Sequence, residues 1–223
     1  QIFATFIYMY WYFYKNPKEI NNFLNISAKS IDDITSSMYS HIFPILILSY
    51  IIIFIISFII ILKNKYKFSE YYKLSHKNIN VSTGISFIVL GLSLNLILSL
   101  LGALLPQKWT SADQSFLFNG KNQILEFTTV CLLGPITEEF IFRNRIYQNL
   151  SYINISLAVI AQAVLFGLAH GNLIQFLYTI PLALFFIYVD MKYKSVLPSV
   201  LMHIGVNTFA FRCYYDQKWT III

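Results

Sequence analysis

Residues 81–105 read VSTGISFIVLGLSLNLILSLLGALL, a stretch without one charged side chain. As an α-helix it is about 37 Å long, enough to cross a hydrocarbon core of about 30 Å with some tilt. Residues 45–62 form a second uncharged run. One such run can be a buried core helix, but several cannot all hide inside a chain of 223 residues. In lipid only helices and closed barrels satisfy their own backbone, and runs of this length select helices. The fold class read from these stretches is all-α.

Composition agrees. The chain is 57% hydrophobic and 12% charged, with 20 Phe and 16 Tyr, where a soluble domain carries about 25% charged residues. The formal net charge of +6 invites a nucleic-acid reading, which the placement of the charges excludes. Lys63, Lys65, Lys67, Lys73 and Lys77 oppose only Glu70 and flank apolar spans, without forming a patch on a polar domain. Cys131 and Cys213 both sit in apolar context and have no metal or redox spacing.

Working outward, the first apolar segment is 2–14, ended by Lys15 and Pro17, and 15–41 is polar with Asp32 and Asp33. A second span covers 42–62, a basic loop 63–80, and the third span 81–105, closed by Pro106. Residues 107–122 form a polar loop with an Asn119-Gly120 turn. One long helix is expected over 124–150, then spans at 153–170, 173–189 and 195–214. Pro181 is expected to kink the sixth, and Asp190, Lys192 and Lys194 mark a short loop. The expected architecture is a polytopic bundle of about seven transmembrane helices. Residues 1–14 read as the tail of a helix that begins before Gln1, so a full-length chain would have eight. No signal peptide is recognised at the start. The chain divides into N-terminal helices and loops, 1–122, and a core of four transmembrane helices, 123–215. Loop 63–80, the turn near 150 and the loop at 190–194 are separated by pairs of spans, so they share one side. All three are flanked by basic residues, which assigns that side to the cytoplasm.

The later spans carry polar groups that lipid does not tolerate alone. Counting 1.5 Å per residue from the cytoplasmic turns, Glu138 lies about 20 Å along its helix, His170 about 25 Å, His203 about 14 Å and Asn207 about 20 Å. Such groups should face one another or a wet cavity. Glu139 and Arg143 are four apart and suited to a salt bridge, while Glu138 is turned about 100° away, free to face a cavity. Phe166–His170 and His203–Asn207 have the same spacing, and the second pair can aim two donors at one point. Structural readings stand beside these. Glu139–Arg143 suits a buried ion pair, and each histidine, like Asn207, could serve only as an interhelical hydrogen bond. Gly134-Pro135 reads as a helix irregularity that opens a cavity. Gly167, Gly171 and Gly205 read as sites of close helix contact.

Two hydrolytic chemistries fit. In one, Glu138 is a general base activating water with His170, while His203 and Asn207 donate to the oxyanion of an amide. In the other, Glu138, His170 and His203 hold a zinc ion that activates the water. No H-x-x-x-H or H-E-x-x-H spacing supports zinc, so no cofactor is expected and zinc is kept as the alternative. No serine sits in a nucleophile elbow, and no paired intramembrane aspartates are present.

The run Thr137-Glu138-Glu139-Phe140-Ile141-Phe142-Arg143 resembles the E-E-x-x-x-R motif of the CPBP family, the CAAX-protease and bacteriocin-processing membrane proteins. Phe166-Gly167-Leu168-Ala169-His170 is similar to its F-x-x-x-H motif, and His203-Ile204-Gly205-Val206-Asn207 to its H-x-x-x-N motif. The resemblance implies an intramembrane glutamate endopeptidase in which Glu138 and His170 activate water and His203 and Asn207 form the oxyanion hole. It also implies that Glu139 and Arg143 support the site and that Phe166 lines it. Many members have glycine after the motif arginine, where this chain has Asn144.

The expected partners are a membrane-embedded or membrane-tethered peptide substrate and the lipid bilayer, with no nucleic acid, in a bacterial plasma membrane. Two other classes compete. One is a non-catalytic bacteriocin immunity-type protein, in which replacing Glu138 by Gln would leave protection intact. The other is a small transporter, for which the chain shows no inverted repeat.

Overall fold

The computed structural model describes residues 42–75, 79–104, 122–171 and 173–216, with Lys15 alone before them. The segment 2–14, the polar stretch after it, nearly all of loop 107–122 with its Asn119-Gly120 turn, and the chain end lie outside the described residues. The described chain is all-α. Helix α1 is Ile42–Asn64, α2 is Phe68–Tyr71 and α3 is Val81–Gly102. Helix α4 occupies 123–151 and is composite, as set out below. Helices α5, Ile155–Ala169, α6, Leu173–Tyr193, and α7, Leu197–Asp216, complete the bundle.

Among the described residues, α1, α3 and α6 are long and apolar enough to cross a membrane, and α5 is a shorter apolar helix. The distribution of side chains carries the same message. Ile51, Ile55, Phe58, Ile59 and Leu62 of α1 are exposed, whereas Asn95, Glu139, Arg143, Gln162 and His203 are buried. Large apolar groups outside and ionisable groups inside are the inverse of a water-soluble fold, and they are what a lipid solvent selects. The protein is a polytopic helical membrane bundle.

Local sequence starts three of the helices in the same way. The side chains of Asn80, Asn122 and Asn154 accept from the backbone N–H groups of Thr83, Leu125 and Leu157 at 2.8, 3.0 and 2.9 Å. Each satisfies a donor that the first turn leaves open.

Packing between helices rests on small residues, since lipid offers no hydrophobic drive for association. The most extensive contact is α3 on α7. A Cβ on Gly91 would lie 1.9 Å from the Met202 carbonyl oxygen, and one on Gly205 would lie 2.2 Å from that of Ile88. The backbones therefore touch directly. Beside this crossing the Asn95 side-chain amide donates to the Val206 carbonyl at 2.6 Å. Phe87, Leu182, Phe186, Val189 and Met202 fill the space between α3, α6 and α7.

Three expectations need correction. The basic loop 63–80 contains α2, and Tyr71 and Tyr72 are buried against Ile61 and Phe140; their rings draw the loop under the bundle. Its Lys73 carbonyl accepts from Val196 N–H at 3.2 Å, so two of the basic loops sit together. Helix α6 runs on to Tyr193 with Asp190 buried inside it, so Asp190 does not mark a loop. Gly171 makes no close contact and has φ +68°; it turns the chain after α5, a conformation glycine takes without cost. By contrast, Gly167 does meet the Phe176 carbonyl oxygen, 3.2 Å from where its Cβ would be.

The crossing predicts a contrast within α3. Gly91→Ala should destabilise the bundle by about 1–3 kcal/mol through overpacking. Gly84→Ala, whose Cβ would meet only Leu201 Cδ1 at 3.7 Å, should be neutral or stabilise by up to about 1 kcal/mol through helix propensity. Unfolding of both variants in detergent micelles checks the pair, and equal effects would remove the crossing from the account.

Candidate active site

Helix α4 is the element that the sequence did not describe fully. Instead of one regular helix it alternates: α-helical at Gln123–Glu126, π-helical over Phe127–Leu133, α-helical at Gly134–Glu139, π-helical over Phe140–Ile146 and α-helical again at Tyr147–Ser151. Each wide turn rotates the side chains that follow it, and such turns are frequent at functional sites. The turn that carries Glu138 and Glu139 is thus framed on both sides.

Pro135 helps explain the first π-helical stretch. The Gly134 N–H bonds to the Thr129 carbonyl, five residues back. The next bond in that register would run from residue 135 to the Val130 carbonyl, and proline has no N–H to give. The Asn207 side-chain amide of α7 donates to that same Val130 oxygen at 2.9 Å. Asn207 therefore stitches α7 to a gap in α4, and the Cys131 thiol lies 3.4 Å from the Asn207 carbonyl beside it.

His203, two turns into α7, stands between the two glutamates. Its Nδ1 donates to Glu139 Oε1 at 2.8 Å, and its Nε2 is 3.9 Å from Glu138 Oε2. A carboxylate only accepts, so Nδ1 carries a hydrogen. The Glu139 side chain is fully buried, whereas that of Glu138 is 32% exposed. The two adjacent carboxylates are in this way divided, one sealed inside and one at an opening. His203 Nδ1 and the Asn207 amide bond to different partners. Among the described residues His203 Nε2 and the second Asn207 amide hydrogen have no hydrogen-bond partner.

Arg143 closes the group from below. Its Nε lies 2.9 Å from Glu139 Oε2, with both side chains at 0% exposure. The N–H is not aimed for a hydrogen bond, and Nη1 and Nη2 have no hydrogen-bond partner among the described residues. The attraction is Coulombic, supplemented by aromatic faces. The guanidinium carbon sits 4.2 Å above the Phe166 ring and 5.7 Å from that of Phe186, within the range where ring quadrupoles attract cations. This is the job the structure gives Phe166. Its ring also contacts His170 and His203 edge-on, with centroids 4.9 and 5.8 Å apart.

His170 ends α5 as the residue after Ala169, half-buried, with Nδ1 2.8 Å from the Phe166 carbonyl oxygen. The carbonyl only accepts, so Nδ1 carries a hydrogen, and Nε2 lies on the other side of the ring. His170 shares Phe166 with His203 but makes no direct bond to either glutamate. Among the described residues no three His, Cys, Asp or Glu side chains are gathered as a metal-binding group.

Two residues behind the site were not singled out in the sequence. Asp190 Oδ1 accepts from Ser199 N–H at 3.0 Å, so a carboxylate of α6 caps the first turn of the helix that carries His203 and Asn207. A charged residue near the end of an apolar helix was the available signal, and neighbouring lysines masked it. Glu126 is also buried, and accepts from the Tyr215 hydroxyl, three helical turns from Glu138.

The ion group makes a quantitative prediction. Arg143→Met leaves the Glu139 charge buried without its partner and should cost about 3–5 kcal/mol, whereas adding Glu139→Leu should restore much of the loss. Unfolding of the single and double variants in micelles measures the coupling. Additive losses would mean that the pair contributes no joint stabilisation.

Residues 120–209 match the family model described as type II CAAX prenyl endopeptidase Rce1-like. No curated protein and no solved structure matches the chain. The matched stretch begins just before α4 and includes Glu138, Glu139, Arg143, Phe166, His170, His203 and Asn207. Over residues 120–209, then, this chain is similar to the Rce1-like CAAX prenyl endopeptidases.

Proposed function

We propose that the protein is an intramembrane endopeptidase that hydrolyses a peptide bond of a membrane-associated or lipidated protein or peptide. The observation that carries the reading is His203 held between adjacent glutamates, Nδ1 at 2.8 Å from the sealed Glu139 and Nε2 at 3.9 Å from the partly open Glu138. That arrangement lies inside the segment that matches the protease family.

In the proposed reaction Glu138 takes a proton from water as the water oxygen attacks the scissile carbonyl carbon. His170 helps orient that water through its Nε2. The carbonyl oxygen becomes an oxyanion and receives hydrogen bonds from the second Asn207 amide hydrogen and from His203 Nε2 when the ring carries both protons. Glu139 then balances the ring from the Nδ1 side, and Arg143 balances Glu139. The intermediate collapses, the carbon–nitrogen bond breaks, and the Glu138 proton passes to the leaving amine. The products are one new carboxylic acid and one new amine, and the acid ionises by passing its proton to the amine or to water.

The wider proposal keeps a bundle of about seven spans, with 123–215 as the catalytic core, 1–122 as its supporting helices and the basic loops on the cytoplasmic face of a bacterial plasma membrane. The match to a family named for prenyl endopeptidases makes a prenylated C-terminal peptide one substrate class to test.

The test is cleavage of a panel of membrane-tethered peptides, prenylated and unmodified, by purified protein in lipid. Glu138→Gln should lower cleavage by about 10²–10⁴-fold, the usual worth of a general base, and a chelator should leave the wild type active. Loss of activity with chelator would replace the metal-free scheme by the zinc version. Equal cleavage by Glu138→Gln and wild type would overturn the catalytic assignment and favour an immunity-type binder.

A further inference from the structure

Helix geometry brings one residue from outside the matched segment to the base. A helical side chain leans toward the N-terminus of its own helix, over the residue four positions earlier. Glu138 therefore leans over the turn of α4 that begins at Gly134. Gly134 has no side chain, and a Cβ built there would lie 3.3 Å from the Tyr50 hydroxyl. The phenol of α1 thus reaches the same patch of α4 that the Glu138 carboxylate covers.

The register between the helices supports this placement. On α1, Tyr50, Phe54, Ser57 and Ile61 follow one another at helical spacing and face α4. The Phe54 and Phe140 rings meet edge-on at 6.4 Å, Ser57 and Thr137 line a shared cleft, and Ile61 belongs to the cluster on which Phe140 packs. Tyr50 is buried, 8% exposed, so its hydroxyl is held in place. The 3.9 Å between Glu138 Oε2 and His203 Nε2 is too long for a hydrogen bond, so His203 leaves the acceptor positions of that carboxylate open to another donor.

We propose that Tyr50 is a positioning residue of the active site, its phenol donating a hydrogen bond to the Glu138 carboxylate. The proposal rests on the reading of Glu138 as the base. A carboxylate has two oxygens and several acceptor sites, so a bond from Tyr50 fixes its orientation and leaves the other oxygen for water. Helix α1, outside residues 120–209, then completes a site that the family segment carries only in part.

The test uses the full chain in lipid nanodiscs as wild type, Tyr50→Phe and Glu138→Gln. The Glu138 carboxylate stretch is the infrared band lost in Glu138→Gln, and this arm needs no substrate. In Tyr50→Phe that band should shift, while thermal unfolding stays at the wild-type temperature. With the panel peptide that the wild type cleaves fastest, kcat should fall about 10–100-fold, the worth of one hydrogen bond to a charged group, with KM within about twofold. An unmoved band, or an unchanged kcat while Glu138→Gln is inactive, overturns the role of Tyr50 and leaves the endopeptidase reading standing. Wild-type cleavage by Glu138→Gln overturns both.

Discussion

Arg143 carries its charge where neither water nor lipid can solvate it. Everything around it follows from that constraint. Glu139, four residues away, supplies the opposite charge beside it, so Glu139 is sealed with it, and Phe166 of α5 covers the guanidinium. The anion in turn fixes the Nδ1–H of His203. A chain of forced choices thus runs from one buried cation to the imidazole nitrogen nearest Glu138. The motif residues that look auxiliary in a sequence, the arginine and the phenylalanine, are the ones that set the geometry.

Glu138 and Glu139 are neighbours in sequence with the same side chain, yet they occupy different environments. About 100° of helical rotation separates them. That turns one into the sealed ion group and leaves the other 32% exposed. Two identical groups with distinct surroundings are the usual way to obtain distinct chemical roles from the same residue type. The bundle provides this by rotation alone, without any large-scale feature.

Much of the fold was legible because it is dictated locally. Uncharged runs of sufficient length become helices, and Gly205 permits a close crossing. The salt bridge between Glu139 and Arg143 followed from i,i+4 spacing. What sequence spacing missed was non-local or depended on a broken helical register. The π-helical turns, the Asn207 bond to Val130, the cap from Asp190 to Ser199 and the burial of Tyr71 and Tyr72 each join residues whose relation no fixed period encodes. Gly171 was misread for the same reason: whether a glycine serves space or a positive φ is decided by the backbone it sits in.

The sequence by itself determined the solvent, the class of fold and the identity of the polar groups placed in the bundle interior. Hydropathy and side-chain chemistry are properties of residues and short stretches, so they survive without coordinates. Only the tertiary structure decided which nitrogen of His203 meets which glutamate, which donor of Asn207 is already engaged, and that Tyr50 of α1 lies over the Gly134 turn. Those facts depend on how helices cross and rotate, and a difference of one residue in helical register moves a side chain by about 100°. Packing of distant segments fixes that angle, and no local rule supplies it.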